Sequence, residues 1–260
     1  MIKKLRAIAI EAGKMLTRNN RNDLGIRQKA AKDFVTKWDK RISAFVIPRL
    51  HHLVRDSEIM CEDSKFEKLA TNRAKKVWVI DPIDGTTNFI HRYPFYTISI
   101  TLFDIMSNRS VASVVFCPLL NQLFEAFEDS RSTLNGESIE VSKESNVNKC
   151  LLLTGFSHQV VQNGKELDIF RKMSCETHGT RRSGCASVDI CYVAAGFAEA
   201  YYHFNLKPWD TLAAVHILRN AGGQVTNIAG SHFNPYQKTI IASNGKCHLE
   251  VNKLISTTNQ

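Results

Sequence analysis

The chain is short of three features, and each shortage excludes a class of protein. Its 6 prolines and 13 glycines do not gather into a linker or a low-complexity tract. Its 7 cysteines contain no Cys-x-x-Cys pair, which argues against a zinc site or a disulfide framework and favours reduced thiols. No apolar run approaches the length of a membrane span, and Glu11 and Lys14 interrupt the apolar core that a signal peptide would need. We therefore expect a cytoplasmic protein.

Length, composition and charge describe a globular chain with a basic surface. The 260 residues suffice for one domain, 1–260, with two closely packed halves of about 1–145 and 146–260. The formal net charge of +9 would suit an anionic substrate, nucleic acid or an acidic protein surface. It is more typical of a solvated basic face, and no RNA- or DNA-binding motif accompanies it. We predict no membrane contact and no specific nucleic-acid motif.

The hydrophobic pattern predicts a mixture of helices and strands. The predicted helices lie at 2–16, 39–53, 164–175, 186–196 and 209–221 and at the C-terminus. The predicted strands lie at 24–27, 58–61, 77–80, 96–103, 111–116, 123–127, 150–154, 198–204, 224–227 and 239–243. Residues 64–76 are expected to form a mobile polar connection, and the alternation in 96–103 predicts a half-buried strand. Runs of strands broken by helices favour layered sheets and helices over a barrel.

Residues 77–89 carry the most specific signal. The apolar run 77–80 predicts a buried strand that delivers Asp81 and Asp84 to its C-terminal end, just before Gly85. Buried carboxylates are costly unless a cation neutralises them, and two acids so close suit a hard ion such as Mg²⁺. The short string Asp-Pro-x-Asp-Gly would also suit a simple acidic turn. The longer string, with its strand in front and Thr-Thr-Asn-Phe behind, favours the metal site.

Three other acids stand at the ends of predicted elements. Glu62 ends a strand, as Asp81 does. Asp210 opens a helix, where a negative charge is favoured, and by itself it reads as a helix cap or as a ligand. Asp39 also reads as a cap when taken alone. Their role therefore depends on what the fold brings together.

Several stretches together match one family. They are Asp33-Phe-Val-Thr-x-x-Asp39, Glu62-Asp-Ser64, Trp78-x-Ile-Asp-Pro-Ile-Asp-Gly-Thr-Thr-Asn-Phe89, Leu134-Asn-Gly136, Arg182-Ser-Gly184, Trp209-Asp-x-x-Ala-Ala214 and Gly222-Gly223. In this order they resemble the inositol monophosphatase family of Mg²⁺-dependent, lithium-sensitive phosphomonoesterases. The Arg-x-Gly and Lys-Pro-Trp-Asp strings look most like its bacterial extragenic-suppressor branch. The resemblance covers most of the chain.

The resemblance implies a metal site residue by residue. Glu62, Asp81 and the Ile83 carbonyl would hold one Mg²⁺, and Asp81, Asp84 and Asp210 would hold a second, with a third ion loosely held near Glu62. It also implies an α/β (α+β) fold, a layered α-β-α-β-α sandwich, and a homodimer.

The resemblance also implies the groups that act on the substrate. Asp39 and Thr86 would orient the attacking water, and Glu62 is counted with them as catalytic. A wider set would contact the phosphate or the rest of the substrate: Gly85, Thr86, Thr87, Gly184, Cys185, Ala186, His203 and Asp210.

The chain departs from the family pattern at its substrate end. His203 stands where the family usually has a Glu that contacts substrate hydroxyls, and a neutral imidazole offers one donor and one acceptor instead. It could be a substrate contact or a packed, hydrogen-bonded histidine. Arg182 suits either the substrate ring or a subunit boundary. The predicted metal ligands match the family pattern, so the departure concerns substrate preference.

These observations leave three functions open. The leading hypothesis is hydrolysis of inositol-1-phosphate or a related polyol or sugar phosphate to the free alcohol and inorganic phosphate, by two-metal-assisted attack of water. The resemblance to the suppressor branch also allows a protein-interaction role in RNA synthesis, with RNA polymerase or a transcription factor as partner. The third is a fructose-bisphosphate, histidinol-phosphate or nucleotide phosphatase.

Overall fold

The computed structural model describes residues 1–18, 24–30, 33–62, 75–156 and 164–258. In those residues the helices are α1 Ile2–Thr17, α2 Lys37–Leu53, α3 Thr86–His91, α4 Lys165–Glu176, α5 Ala186–Ala194, α6 Pro208–Asn220 and α7 His248–Thr257. The strands are β1 Arg27–Ala30, β2 Asp33–Val35, β3 Ser57–Cys61, β4 Lys76–Asp84, β5 Thr97–Asp104, β6 Arg109–Cys117, β7 Gln122–Phe127, β8 Thr133–Leu134, β9 Glu137–Ser138, β10 Leu151–Gly155, β11 Gly179–Arg181, β12 Ala200–His203, β13 Gln224–Thr226 and β14 Ile240–Ser243. None of these helices is both long and apolar enough to cross a bilayer.

The strands form two large sheets and one two-stranded sheet. The first large sheet has the order β3-β4-β5-β6-β7-β8-β9, and only β3 and β4 run parallel in it. The second has the order β11-β10-β12-β14-β13, with parallel pairs on either side of β10. Strands β1 and β2 pair with each other.

Helices cover both faces of each large sheet. Leu5 of α1 and Ile42 of α2 pack with Ile100 of β5 on the outer face of the first sheet. Helices α5 and α6 fill the space between the sheets, where their side chains share one core with β6, β7, β12 and β14. Ile169 of α4 and Val251 of α7 pack on the far face of the second sheet. The layers therefore run α-β-α-β-α, which confirms the predicted fold class.

Most of the predicted elements are present, with ends that move by a few residues. The strand that was predicted at 24–27 begins only at Arg27, and β4 continues beyond residue 80 to Asp84. Strands β2, β8, β9 and β11 were not predicted, because each is too short to show a period. The predicted mobile connection at 64–76 lies mostly outside the described residues. The division near residue 145 stays a prediction.

The prediction that 96–103 forms a half-buried strand is wrong. Both faces of β5 are buried, including Thr97, Ser99 and Thr101. The cause is that the α5–α6 layer covers the face that these hydroxyls occupy. Thr97 bonds to Ser187 of α5 at 2.6 Å, and Thr101 bonds to Ser113 of β6 at 2.7 Å. A polar residue on an alternating strand can therefore mark a second buried layer and not only solvent.

Candidate active site

A β-bulge in β4 turns two acids to the same side of the sheet. Residues three apart on a regular strand point to opposite faces. Asp81 pairs with Ser99 and Asp84 pairs with Thr97, so β4 uses one more residue than β5 between these pairs. The extra residue lies in the Pro-Ile segment and re-aims the strand, as bulges near functional sites often do. The spacing Asp-Pro-Ile-Asp therefore brings both carboxylates together.

Two further acids approach the same place from other elements. Glu62 follows β3, and its N–H donates to the Ile80 carbonyl at 3.3 Å, so it lies next to the end of β4. Asp210 comes from the first turn of α6. Burial raises the pKa of Asp81 well above its usual 3.8, and the charges of Glu62, Asp84, Asp210 and Asp39 raise it further. The fold thus gathers like charges in one buried place.

Asp84 is held by Ser187 and Cys185, two residues from the second half of the sequence. Its Oδ2 accepts from the Ser187 N–H at 2.7 Å, from the Ser187 hydroxyl at 2.5 Å and from the Cys185 thiol at 3.2 Å. Thr97 in turn lies 2.6 Å from the Ser187 hydroxyl, whose own proton is used on Asp84. Burial raises the pKa of Asp84, and the bonds from Ser187 oppose that rise. One oxygen of Asp84 is therefore fixed.

Asp39 and Asp210 both occupy the third position of a helix, and each caps that helix. Asp39 Oδ2 accepts from the Thr36 N–H at 2.7 Å and from its hydroxyl at 2.8 Å. Asp210 Oδ2 accepts from the Lys207 N–H at 2.7 Å. Burial, followed by Asp84, raises the pKa of Asp210 well above its usual range. The cap interpretation of Asp210 is confirmed, because its Oδ2 caps α6. Asp210 also lines the cavity described below, and its role as a metal ligand stays a prediction.

The loop after β4 is shaped by one glycine and one amide. Gly85 has φ +85°, and a Cβ there would lie 2.9 Å from the Phe95 carbonyl, so only glycine fits. Asn88 donates to the carbonyls of Phe95 at 2.6 Å and Ser183 at 2.9 Å, which ties α3 to the segment before α5. Thr86 donates its hydroxyl to the Ile83 carbonyl at 3.0 Å. Its predicted pairing with Asp39 stays a prediction.

A cavity of about 200 Å³ opens beside these acids. Seven residues that the sequence singled out line it: Asp84, Arg182, Gly184, Cys185, Ala186, His203 and Asp210. The sequence did not single out five others: Thr154, Gly155, Phe156, Tyr201 and Leu206. Asp189 also lines the cavity and was not singled out by the sequence. Burial raises the pKa of Asp189 well above its usual range.

His203 lies at the end of β12, directly beside Gly155 at the end of β10. A Cβ on Gly155 would come within 2.6 Å of the imidazole Cδ2, so the absent side chain makes room for the ring. The Asn205 N–H donates to His203 Nδ1 at 3.0 Å. Burial, followed by the charge of Arg182, lowers the pKa of His203 from 6.5 to about 3. The ring is therefore neutral at ordinary pH.

The acidic cluster fits a hard cation. Among the described residues, no Lys or Arg forms an ion pair with Asp81, Asp84 or Asp210. Buried carboxylates that raise one another's pKa are a natural place for a divalent ion, and their oxygens suit Mg²⁺. Within the same residues, no group of three or more His, Cys, Asp or Glu side chains is arranged so that it could hold a metal ion without moving. One oxygen of Asp84 and one of Asp210 are engaged by N–H groups.

The fold and the acidic cavity define a phosphatase of the layered α/β type, and comparisons with known proteins agree. The model of the inositol monophosphatase family matches residues 1–260. The chain is 36% identical over 244 residues to the Nus factor SuhB of Pseudomonas aeruginosa, covering 92% of this chain and 89% of that one. It is 34% identical to the fructose-1,6-bisphosphatase/inositol-1-monophosphatase of Thermotoga maritima, covering 86% and 83%. The solved extragenic suppressor protein suhB of Bartonella henselae superposes with a TM-score of 0.90, at 29% identity, covering 97% of each chain.

The chain belongs to the inositol monophosphatase family. It is a phosphoric monoester hydrolase of the inositol-phosphate phosphatase type, and the extragenic-suppressor branch is the one it resembles most. The family is generally metal-dependent, which agrees with the chemistry of the acidic cluster.

Sequence reasoning missed the residues that hold the acids in place. Ser187 and Thr97 fix Asp84, and Asn88 fixes the loop. A Ser two residues after Cys185 carries no recognisable signal, because its partner lies 103 positions earlier in the chain. Such contacts become visible only when the sheets are assembled.

Proposed function

We propose that this chain is a Mg²⁺-dependent phosphomonoesterase that hydrolyses inositol-1-phosphate or a related polyol or sugar phosphate. The observation that carries the proposal is the convergence of four carboxylates, Glu62, Asp81, Asp84 and Asp210, whose charges act on one another in a buried place. Glu62, Asp81 and the Ile83 carbonyl would hold one Mg²⁺. Asp81, Asp84 and Asp210 would hold a second.

The other residues of the loop would position the reactants. The N–H groups of Gly85, Thr86 and Thr87 begin α3 and would receive phosphate oxygens without adding a titrating group. Thr86 and Asp39 would orient the attacking water. Bound Mg²⁺ would neutralise the charge of the phosphate, make a water molecule more acidic and stabilise the leaving oxygen. The protein itself then needs no Ser, Cys or His nucleophile.

The test is phosphate release from a panel of esters, with and without Mg²⁺. We expect Mg²⁺-dependent release from inositol-1-phosphate or from at least one sugar phosphate, and inhibition by millimolar Li⁺ as the family resemblance implies. Asp129→Asn is a matched control for Asp81→Asn, because Asp129 is exposed and pairs only with Arg109 among the described residues. If no ester on the panel releases phosphate with Mg²⁺ present, the proposed reaction is wrong.

A second function is favoured by the similarity to a protein named Nus factor SuhB. In this alternative the chain contacts RNA polymerase or a transcription factor, and its charge of +9 suits an acidic surface. Both roles are compatible with a homodimer in the cytoplasm. Capture of RNA polymerase by wild type and by Asp81→Asn alike would support this function as separate from catalysis. Absence of capture at low salt would remove it.

A further inference from the structure

One end of the cavity differs in charge from the acidic cluster. His203, Arg182, Gly155 and Phe156 form this part of the wall, called here the basic end. Arg182 is the only charged group among the described residues that shifts the pKa of His203, and no carboxylate contributes to that shift. Gly155 and His203 stand at the ends of β10 and β12 in the second sheet, whereas Asp84 ends β4 in the first sheet. A substrate that spans the cavity meets carboxylates at one end and a cation at the other.

His203 presents a hydrogen-bond donor to the cavity. Its Nδ1 already accepts the Asn205 N–H at 3.0 Å, so the proton of the neutral ring is on Nε2. No described residue accepts a bond from that Nε2. The ring cannot swing away freely, because Tyr201 lies 6.1 Å from it between ring centres and Gly155 lies under its edge. The imidazole thus offers a fixed N–H and no free acceptor.

Arg182 supplies a cation next to that donor. Its guanidinium lies over the Phe156 ring, 4.7 Å from the ring centre, and makes only a long 3.4 Å contact to the Phe156 carbonyl. No carboxylate among the described residues pairs with it. Asp189 also lines the cavity, but burial favours its neutral form. Two donors, one of them charged, therefore face the cavity without an acceptor.

We propose that Arg182 and His203 select phosphate esters whose alcohol part carries a second anionic group, a carboxylate or a second phosphate. This inference rests on the proposed phosphatase function and names the substrate class of the same site. An anionic oxygen can accept from both Nε2–H and the guanidinium, and such bonds are stronger than those between neutral groups. A neutral polyol offers hydroxyl protons that find no carboxylate acceptor at the basic end. The small cavity of about 200 Å³ favours a short carbon chain.

Two pairs of esters test the preference with matched shapes. 2-Phosphoglycerate differs from glycerol 2-phosphate by a carboxylate, and fructose 1,6-bisphosphate differs from fructose 1-phosphate by a second phosphate. We expect kcat/KM to favour the doubly anionic member of at least one pair by roughly tenfold, the effect of one charge-assisted hydrogen bond. The pair that shows the preference tells whether a carboxylate or a phosphate is recognised.

Variants assign the preference to the two residues. Arg182→Gln should bring the ratio close to one, and His203→Glu should reverse it in favour of the neutral ester. His203→Gln keeps a donor without a charge and should retain most of the preference. Arg181→Gln is the matched control, because Arg181 is an adjacent exposed arginine that bonds to the carbonyl of Thr180 and lies outside the cavity wall.

The outcomes separate this inference from the proposed function. If wild type releases phosphate but treats both members of each pair alike, the inference is wrong and the phosphatase function stands. The inference is also wrong, and the phosphatase function stands, if Arg181→Gln removes the preference to the same extent as Arg182→Gln. If no ester is hydrolysed, the proposed function fails. Calorimetric titration of the same pairs into the Mg²⁺-loaded protein then decides, since equal affinities would overturn the inference.

Discussion

The two ends of the cavity handle buried polar groups in opposite ways. At the acidic end, burial and mutual repulsion push the pKa of Asp81 and of Asp210 upward, and the charge of Lys207 opposes this rise only in part at Asp210. At the basic end, His203 has lost its charge, with a pKa of about 3, and its Nδ1 has a backbone partner. The acidic end needs a cation from outside the chain, whereas the basic end offers two donors, the Nε2–H of His203 and the guanidinium of Arg182, to an anionic group.

This difference separates two kinds of effect. Changes at the acidic end should decide whether a metal binds and whether the reaction occurs. Changes at the basic end should decide which ester is preferred. Each of the following predictions would sharpen or break that division.

The largest effect is expected from Asp81→Asn. We expect Mg²⁺-dependent phosphate release to fall by at least about a thousandfold, more than the loss of an outer partner of a metal ligand would cause. The metal-free protein, by contrast, should unfold at the same or a higher temperature, because the change removes a buried charge that its neighbours repel. Phosphate assays and thermal unfolding in EDTA measure the two effects. If Asp81→Asn lowered the unfolding temperature in EDTA as well as phosphate release, Asp81 would have only a structural role.

Ser187→Ala should have the next largest effect. The change removes a 2.5 Å hydroxyl bond to Asp84 and keeps the N–H bond. We expect the Mg²⁺ concentration for half activity to rise roughly tenfold, as for other partners that orient a ligand. Ser113→Ala is the matched control, since Ser113 is an equally buried hydroxyl between Thr101 and His216. If both variants shift the Mg²⁺ requirement alike, the effect is general loosening of the core.

The sequence could predict the acidic end better than the basic end for a physical reason. Asp81 and Asp84 are neighbours in the chain, and the strand in front of them has a clear apolar pattern. The bulge that turns them to one side depends on pairing with β5, so it could not be foreseen. The contact of His203 with Gly155 joins parallel strands far apart in sequence.

The layered fold was likewise predictable only in outline. The short strands β8, β9 and β11 lack a period. The polar face of β5 was predicted to be exposed to solvent, because a threonine in the sequence does not show whether it is buried, as Thr97 and Thr101 are. Its burial depends on the α5–α6 layer, which comes from the other half of the chain.

The pH dependence of stability should also separate the two ends. The pKa of Asp81 is raised in the folded protein, so its contribution is fully present below the unfolded value near 3.8 and is lost as pH rises through the folded pKa. In EDTA, the free energy of unfolding of wild type should therefore fall relative to that of Asp81→Asn as pH rises above 3.8. Urea unfolding at several pH values measures the difference. Parallel curves for the two proteins would contradict the prediction.

Gly155→Ala should have the smallest effect, confined to the basic end. The new Cβ would lie 2.6 Å from Cδ2 and 2.9 Å from Nε2 of His203, so the imidazole must move. We expect a loss of about 1–3 kcal/mol in the free energy of unfolding, typical of overpacking. The Mg²⁺ requirement should stay as in wild type, and the preference among esters should change a few-fold.

A double-mutant cycle shows whether the imidazole causes that loss. In a His203→Ala background the methyl group of Gly155→Ala has room, so its cost should largely disappear. A cost that remains would place the strain in the backbone of β10 instead. A raised Mg²⁺ requirement in Gly155→Ala would show that the two ends are coupled through the sheet, because β10 and β12 pair directly. The division into a reactive end and a selective end would then fail at this strand pair.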